Sequence, residues 1–299
     1  MSDVFKVGIV GAGVFAGYHA GKVAGHDRAV LSGVFDRNAG PCRNLAARYG
    51  AHPTDSLDAL ASASDALIVA IPANGHLDAA LSGLAHGCHL LMEKPLAATV
   101  AEAERIVGTA AVQNRVLQVG HQERIVMDAI GLQDVSVQPN EIAIVRHTGR
   151  ATRNLDVGVV MDLMIHDIDL LNALYGLPDW ISTERARSIY SDRLDDVSAE
   201  LGYGDMTAYL SASRNAEPER RWTLRFDAGT VEIDFNAKTL RHDTPFDLDA
   251  DFGSKPDAAD SLAAAFDRFV AACLDGASPL ASGEEGLAAV RIAATIEAN

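Results

Sequence analysis

The chain has 299 residues and a formal charge of −16 at pH 7, with 41 Asp and Glu against 25 Lys and Arg. That balance argues against DNA, RNA or an anionic membrane face as the main partner, since each rewards clustered cations, but it leaves room for an anionic small molecule in a local basic pocket. Cys42, Cys88 and Cys273 are widely spaced without a CxxC pair, which points to neither a disulfide framework nor a zinc knuckle. No basic and apolar leader precedes the first strand-like run, and no apolar stretch nears the ~18 residues of a membrane helix, so a cytoplasmic location is expected.

Taken in chain order, strand-like runs occur at 4–10, 29–35, 66–71, 88–92 and 115–120, with amphipathic patterns between them. Each run is apolar throughout rather than alternating, as expected of a parallel sheet covered by helices on both faces. The rhythm changes after Gly120. A strand is expected at 141–148 and one long helix across 157–175, followed by alternating runs from 179 to 235 without helices between them. Asp227-Ala228-Gly229 separates two of those runs and reads as a hairpin turn. Helices close the chain at 261–274 and 284–298. The expectation is an α/β chain in two domains. Residues 1–120 would form a nucleotide-binding parallel-sheet domain, and residues 121–299 a substrate domain on an open, mostly antiparallel sheet.

GIVGAGVFAGYHA directly after the first strand supplies G-x-G-x-x-A as Gly11, Gly13 and Ala16. The first glycine allows the tight turn, the second lets the backbone approach a pyrophosphate, and the small third residue lets helix and strand pack closely. Asp36 ends the second strand-like run, where a carboxylate accepts the hydroxyls of an adenosine ribose and repels a 2′-phosphate. NAD is therefore expected over NADP. Arg37 beside it would stack on adenine or meet such a phosphate.

Lys94, one of five lysines, follows the fourth of these runs within Glu93-Lys94-Pro95, at the strand end where ligand sites of parallel sheets gather. The stretch MDLMIHDIDLL (161–171) sets His166 among Asp162, Asp167 and Asp169. On a regular helix Asp162, His166 and Asp169 fall within an arc of roughly 60°, and Asp167 points away. Charged groups among Met, Leu and Ile need partners. A metal site, a structural polar network and general acid–base chemistry all fit this face.

Together these residues resemble the Gfo/Idh/MocA family of nicotinamide-dependent sugar and cyclitol oxidoreductases. The matching elements are GAGVFAGYH, Pro72 and His76 in IPANGH, EKP at 93–95, and GVVMDLMIHDIDLL at 158–171, in the family's order. The resemblance implies a Rossmann domain followed by an α/β domain that forms a homo-dimer or homo-tetramer through its sheet. It adds Val14, Phe15, Ile71, Pro72, His76, Glu93 and Lys94 to the cofactor set. It also implies that Lys94 bonds the reacting hydroxyl, that His166 is the general base with Asp162 as its neighbour, and that no metal takes part. Asp169 would orient His166 or bind substrate.

VGHQER (119–124) and the His166 segment most resemble the branch acting on UDP-linked N-acetylhexosamines at the 3-hydroxyl. Ile125-Val126-Met127 stands where that branch carries Phe-Asn-Pro, Met92 where a cysteine is common, and Ala73 where a threonine is frequent. For a nucleotide-sugar diphosphate, Arg124, Arg150 and Arg153 are the candidate partners, because a guanidinium fork matches phosphate oxygens. A free sugar, inositol or sugar phosphate is the alternative substrate, and a non-catalytic NAD-binding sensor is the alternative function.

Overall fold

The computed structural model describes residues 4–150 and 155–298. Two compact units emerge, one of residues 1–121 with Leu262–Leu287 and one of Gln122–Ser261 with the last helix from Ala288 onward. The first unit runs β1 (Phe5–Val10), α1 (Val14–Ala24), β2 (Ala29–Phe35), α2 (Ala39–Arg48), β3 (His52–Pro53), α3 (Leu57–Ser62), β4 (Ala66–Val69), α4 (His76–Ala85), β5 (His89–Met92), α5 (Val100–Val112) and β6 (Leu117–Val119). Its six strands are all parallel, in the order β3-β2-β1-β4-β5-β6. The order reverses direction between β1 and β4, and in such sheets ligands bind beyond the carboxyl ends of the strands at that switch.

Side-chain caps set several helix starts in this unit. Asn38, Ser56 and Thr99 accept main-chain N–H groups at the starts of α2, α3 and α5. Helix α1 differs, because Gly13 at its N-cap has no side chain to supply.

The second unit contains α6 (Glu123–Ile130), β7 (Glu141–His147), α7 (Ile165–Tyr175), β8 (Trp180–Arg187), β9 (Asp196–Tyr203), β10 (Met206–Ser213), β11 (Glu219–Phe226), β12 (Gly229–Asp234), β13 (Thr239–His242) and α8 (Pro256–Ala259). Helices α9 (Ser261–Asp275) and α10 (Gly283–Ala298) end the chain. The seven strands lie in the order β13-β12-β11-β7-β10-β9-β8. All neighbours are antiparallel except β7 and β10. Alternate residues fill one face: Ile142 and Ile144 on β7, Ala208 and Leu210 on β10, and Trp222 and Leu224 on β11 are buried. Burying such rows removes apolar area from water at about 25 cal/mol per Å², the main driving force for this layer.

The structure departs from the sequence expectations in three places. A single boundary at residue 120 does not describe the chain, because α9 returns to the first unit. There Phe266, Phe269 and Val270 pack with Val7, Ile9 and Val34 in one core. The short elements β3, α3, α4, α6 and β13 carry too little periodicity to stand out. The expected continuous helix at 157–175 is a π-helical turn, Val160–Met164, running into α7. A π turn closes i→i+5 bonds and shifts the phase of what precedes it. Just before it, a Cβ at Gly158 would overlap Glu297 Oε1 of α10, so a larger residue there would displace the Glu297 carboxylate. No helix among the described residues is long and apolar enough to cross a membrane.

Candidate active site

In the first unit the chain turns sharply after β1. Gly11 has φ +112°, a Cβ on it would overlap Ala70 O, and its N–H bonds Phe35 O at 2.7 Å. The next N–H, of Ala12, donates to Asp36 Oδ2 at 2.7 Å, while Asn38 N–H donates to Oδ1 at 2.7 Å. The Asp36 carboxylate is thus fixed at the end of β2, and each oxygen keeps a second lone pair for a hydroxyl. Ala16 is buried in the core, whereas Gly13, Val14 and Phe15 are exposed at the start of α1. A cavity of about 280 Å³ lies at the carboxyl ends of β1 and β2, lined among others by Phe35, Asp36, Arg37, Leu57, Ile71 and Pro72.

This set fits NAD. An apolar slot suits adenine, a fixed carboxylate suits the ribose, and an uncapped helix start with free N–H groups suits the pyrophosphate. Arg37 is exposed at the rim of the slot.

Beyond β5 come Glu93 and Lys94, with Glu93 Oε1 2.7 Å from His19 Nε2 of α1. Burial pushes the Glu93 carboxyl up. The His19 hydrogen bond and the charges of His19, Lys94 and His76 outweigh it and hold the carboxyl below its usual range. His76, expected among the cofactor contacts, is buried and turned to the main chain. Its Nδ1 lies 3.2 Å from Leu96 O and its Nε2 2.9 Å from Ile71 O. It therefore joins the loop after β4 to the turn that carries Lys94, and both its ring nitrogens are spent on carbonyls.

In the second unit the three aspartates of 161–171 go to three different arginines. Asp162 accepts from Arg214 Nη2 at 2.9 Å, and Arg214, fully buried, also donates to Val157 O at 3.2 Å. Asp167 accepts from Arg146 at 2.6 and 2.9 Å and from Trp222 Nε1 at 2.9 Å. Asp169 accepts a two-pronged pair from Arg124 at 2.8 and 2.6 Å. Arg124 and Asp169, both expected to meet substrate, thus pair with each other and are buried. Leaving either charge alone in that interior would cost several kcal/mol.

His166 Nδ1 lies 3.2 Å from Glu123 Oε1, on the first turn of α6. Glu123 also accepts from Arg146 at 2.8 and 3.2 Å and touches Arg220 Nη2. Burial pushes Glu123 up, yet Arg146, His166 and Arg220 hold its carboxyl well below the usual range. Arg220 in turn lies over the Phe235 ring at 4.6 Å. Arg150 is exposed, its guanidinium 5.0 Å over the ring of Tyr190, whose hydroxyl donates to Arg214 O at 2.5 Å. Arg153 lies outside the described residues.

Sequence reasoning missed Glu123, Arg146, Arg214 and Arg220. One signal was available: Arg146 falls on the same strand parity as the buried Ile142 and Ile144, so an inward-facing cation needs an acid. Nothing local to Glu123 marks it as the carboxylate beside His166.

Residues 5–121 match the model of an oxidoreductase family with the NAD-binding Rossmann fold, and residues 136–232 match the GFO/IDH/MocA C-terminal domain. UDP-N-acetylglucosamine 3-dehydrogenase of Acidithiobacillus ferrooxidans is 32% identical over 238 residues, covering 79% of this chain and 75% of its own. D-glucoside 3-dehydrogenase of Escherichia coli K12 is 25% identical over 248 residues, covering 77% of this chain and 69% of its own. The crystal structure of the A. ferrooxidans enzyme, GnnA, matches with a TM-score of 0.88 at 29% identity, over 99% of this chain and 97% of that one. The chain belongs to the Gfo/Idh/MocA family of oxidoreductases, and its first unit is the family's NAD-binding Rossmann domain.

Proposed function

We propose that this oxidoreductase uses NAD to oxidise a ring hydroxyl of a sugar, the 3-hydroxyl of a UDP-linked N-acetylhexosamine. The likeness to a UDP-N-acetylglucosamine 3-dehydrogenase over 79% of the chain carries this reading. Bound NAD supplies the hydride acceptor. Asp36 takes the ribose hydroxyls, and the uncapped start of α1 takes the pyrophosphate. Lys94 bonds the substrate oxygen and stabilises the alkoxide as it forms. His166 accepts the hydroxyl proton, since an imidazole titrates near neutral pH and suits general-base work. Of the arginines expected to meet a diphosphate, Arg124 is committed to Asp169, and Arg150 presents an exposed guanidinium.

The likeness to a D-glucoside 3-dehydrogenase supports a second reading, in which the substrate is a sugar without the nucleotide. Mixing the protein with NAD and a panel of UDP-N-acetylhexosamines, sugar phosphates, glucosides and inositols, and following nicotinamide absorbance, separates the two. Turnover confined to UDP-sugars is expected, and turnover confined to glucosides moves the assignment to the second reading. His166→Ala is expected to lower kcat by about 10²–10⁴-fold while NAD affinity is kept. Unchanged turnover in that variant would remove His166 from the chemistry.

A further inference from the structure

Glu123 is the carboxylate that the structure brings to His166, and it is held from three sides. Oε1 lies 3.2 Å from His166 Nδ1 and 3.2 Å from Arg146 Nη1, and Oε2 lies 2.8 Å from Arg146 Nη2 and in contact with Arg220. The imidazole contact is at ion-pair distance but off the line of an aligned hydrogen bond, so its action is Coulombic first. Two guanidinium groups around one carboxylate keep it charged, and their forks fix its orientation.

The other charges near His166 in the second unit are already answered. On its own helical stretch, Asp162 is drawn by Arg214, Asp167 by Arg146 and Trp222, and Asp169 by Arg124. From the elements packed against it come Glu123 of α6, Arg146 of β7 and Arg220 of β11. Two carboxylates, Glu123 and Asp167, thus face two guanidinium groups, Arg146 and Arg220, in one buried cluster.

We propose that Glu123 is a positioning residue for His166: its clamped carboxylate anchors the Nδ1 side of the ring, leaves Nε2 to take the substrate proton, and strengthens the imidazole as a proton acceptor. The proposal rests on the reading of His166 as the base.

The test is an NMR pH titration of His166 in the NAD-loaded protein labelled at histidine, with the resonance assigned by its loss in His166→Gln. Removing an anion this close weakens proton affinity by about tenfold or more, so the midpoint in Glu123→Gln is expected at lower pH than in the wild type. The acid limb of kcat/KM should move the same way, while Glu123→Asp restores both toward the wild type. Glu123→Gln leaves Arg220 without its acid and could unfold the cluster. The double variant Glu123→Gln/Arg220→Gln keeps the buried charge balanced, and its midpoint is expected at lower pH than that of Arg220→Gln alone, from which it differs only by the carboxylate. An unmoved His166 midpoint in a folded Glu123→Gln protein, or in the double variant relative to Arg220→Gln, would overturn the proposal. A midpoint that moves while the acid limb stays put leaves the Glu123–His166 coupling standing and removes His166 as the base, so the two readings fail separately.

Discussion

The two units keep their buried polar groups by different means. In the first, beside the Glu93–His19 pair, polar side chains are tied to main chain: Asp36 to the N–H groups of Ala12 and Asn38, His76 to Leu96 O and Ile71 O, Gln118 to Ala265 O and Leu280 N. In the second, side chains hold each other: Asp162 with Arg214, Asp167 and Glu123 with Arg146, Asp169 with Arg124. A side chain removed from a main-chain tie leaves a neutral amide or carbonyl behind. One removed from the second leaves a buried charge. The second unit should therefore be the more brittle under substitution.

The largest expected effect is Arg146→Met, which leaves Asp167 without its guanidinium and Glu123 with Arg220 alone, and should cost about 3–5 kcal/mol in denaturant unfolding. A loss under about 1 kcal/mol would show that the cluster relaxes into water and would erase the contrast. In the first unit, Gly11→Ala forces a side chain into a positive-φ position against Ala70 O. It should destabilise by about 1–3 kcal/mol and abolish NAD binding, read by thermal unfolding and by titration with the dinucleotide. Asp36→Ala should weaken NAD by about 1.5–3 kcal/mol, since a charged acceptor for the ribose is lost. Arg146→Met, by contrast, should leave the NAD affinity of the folded protein unchanged. Smaller again is Trp222→Phe, expected to cost about 1 kcal/mol, because Asp167 loses a neutral donor and keeps its arginine.

Acid titration sharpens the same contrast. Glu93 is held below, and Glu123 well below, the ordinary value of 4.5. Each contribution is fully present above that ordinary value and is lost as the pH falls through the group's own lowered value in the folded state. The Glu123 contribution should therefore survive to lower pH than that of Glu93. Urea midpoints taken from about pH 6 to about pH 3 should show Glu93→Gln flattening only the upper part of the acid loss and Glu123→Gln flattening it to lower pH as well. The reverse order would contradict the contrast drawn from the arginine clamp.

Legibility in the sequence follows the same division. The glycine turn, the strand before it and Asp36 after it are visible because each depends on neighbours in one β-α-β unit, where a glycine at positive φ and a carboxylate at a strand end leave local marks. Lys94 is visible for a similar reason, as a charge at the end of an apolar strand. The helix at 161–171 is visible as a polar anomaly, but its partners are not. A regular 100° projection groups Asp162, His166 and Asp169, yet the π turn at Val160–Met164 alters the phase before His166. Each of the three aspartates is then claimed by a different arginine.

By itself the sequence determined the parallel nucleotide-binding sheet and the strand-rich second half, because periodicity and turn chemistry act over a few residues, and its motifs carried the resemblance to the family. Only the tertiary structure decided that β7 runs parallel to β10, that α9 packs in the first unit, and that Glu123 faces His166. Arg124 meets Asp169 across 45 positions, Arg214 meets Asp162 across 52, and Trp222 meets Asp167 across 55. At such separations the Coulomb energy of a pair depends on which strands and helices become neighbours, and that is a property of the packed sheet rather than of any segment within it.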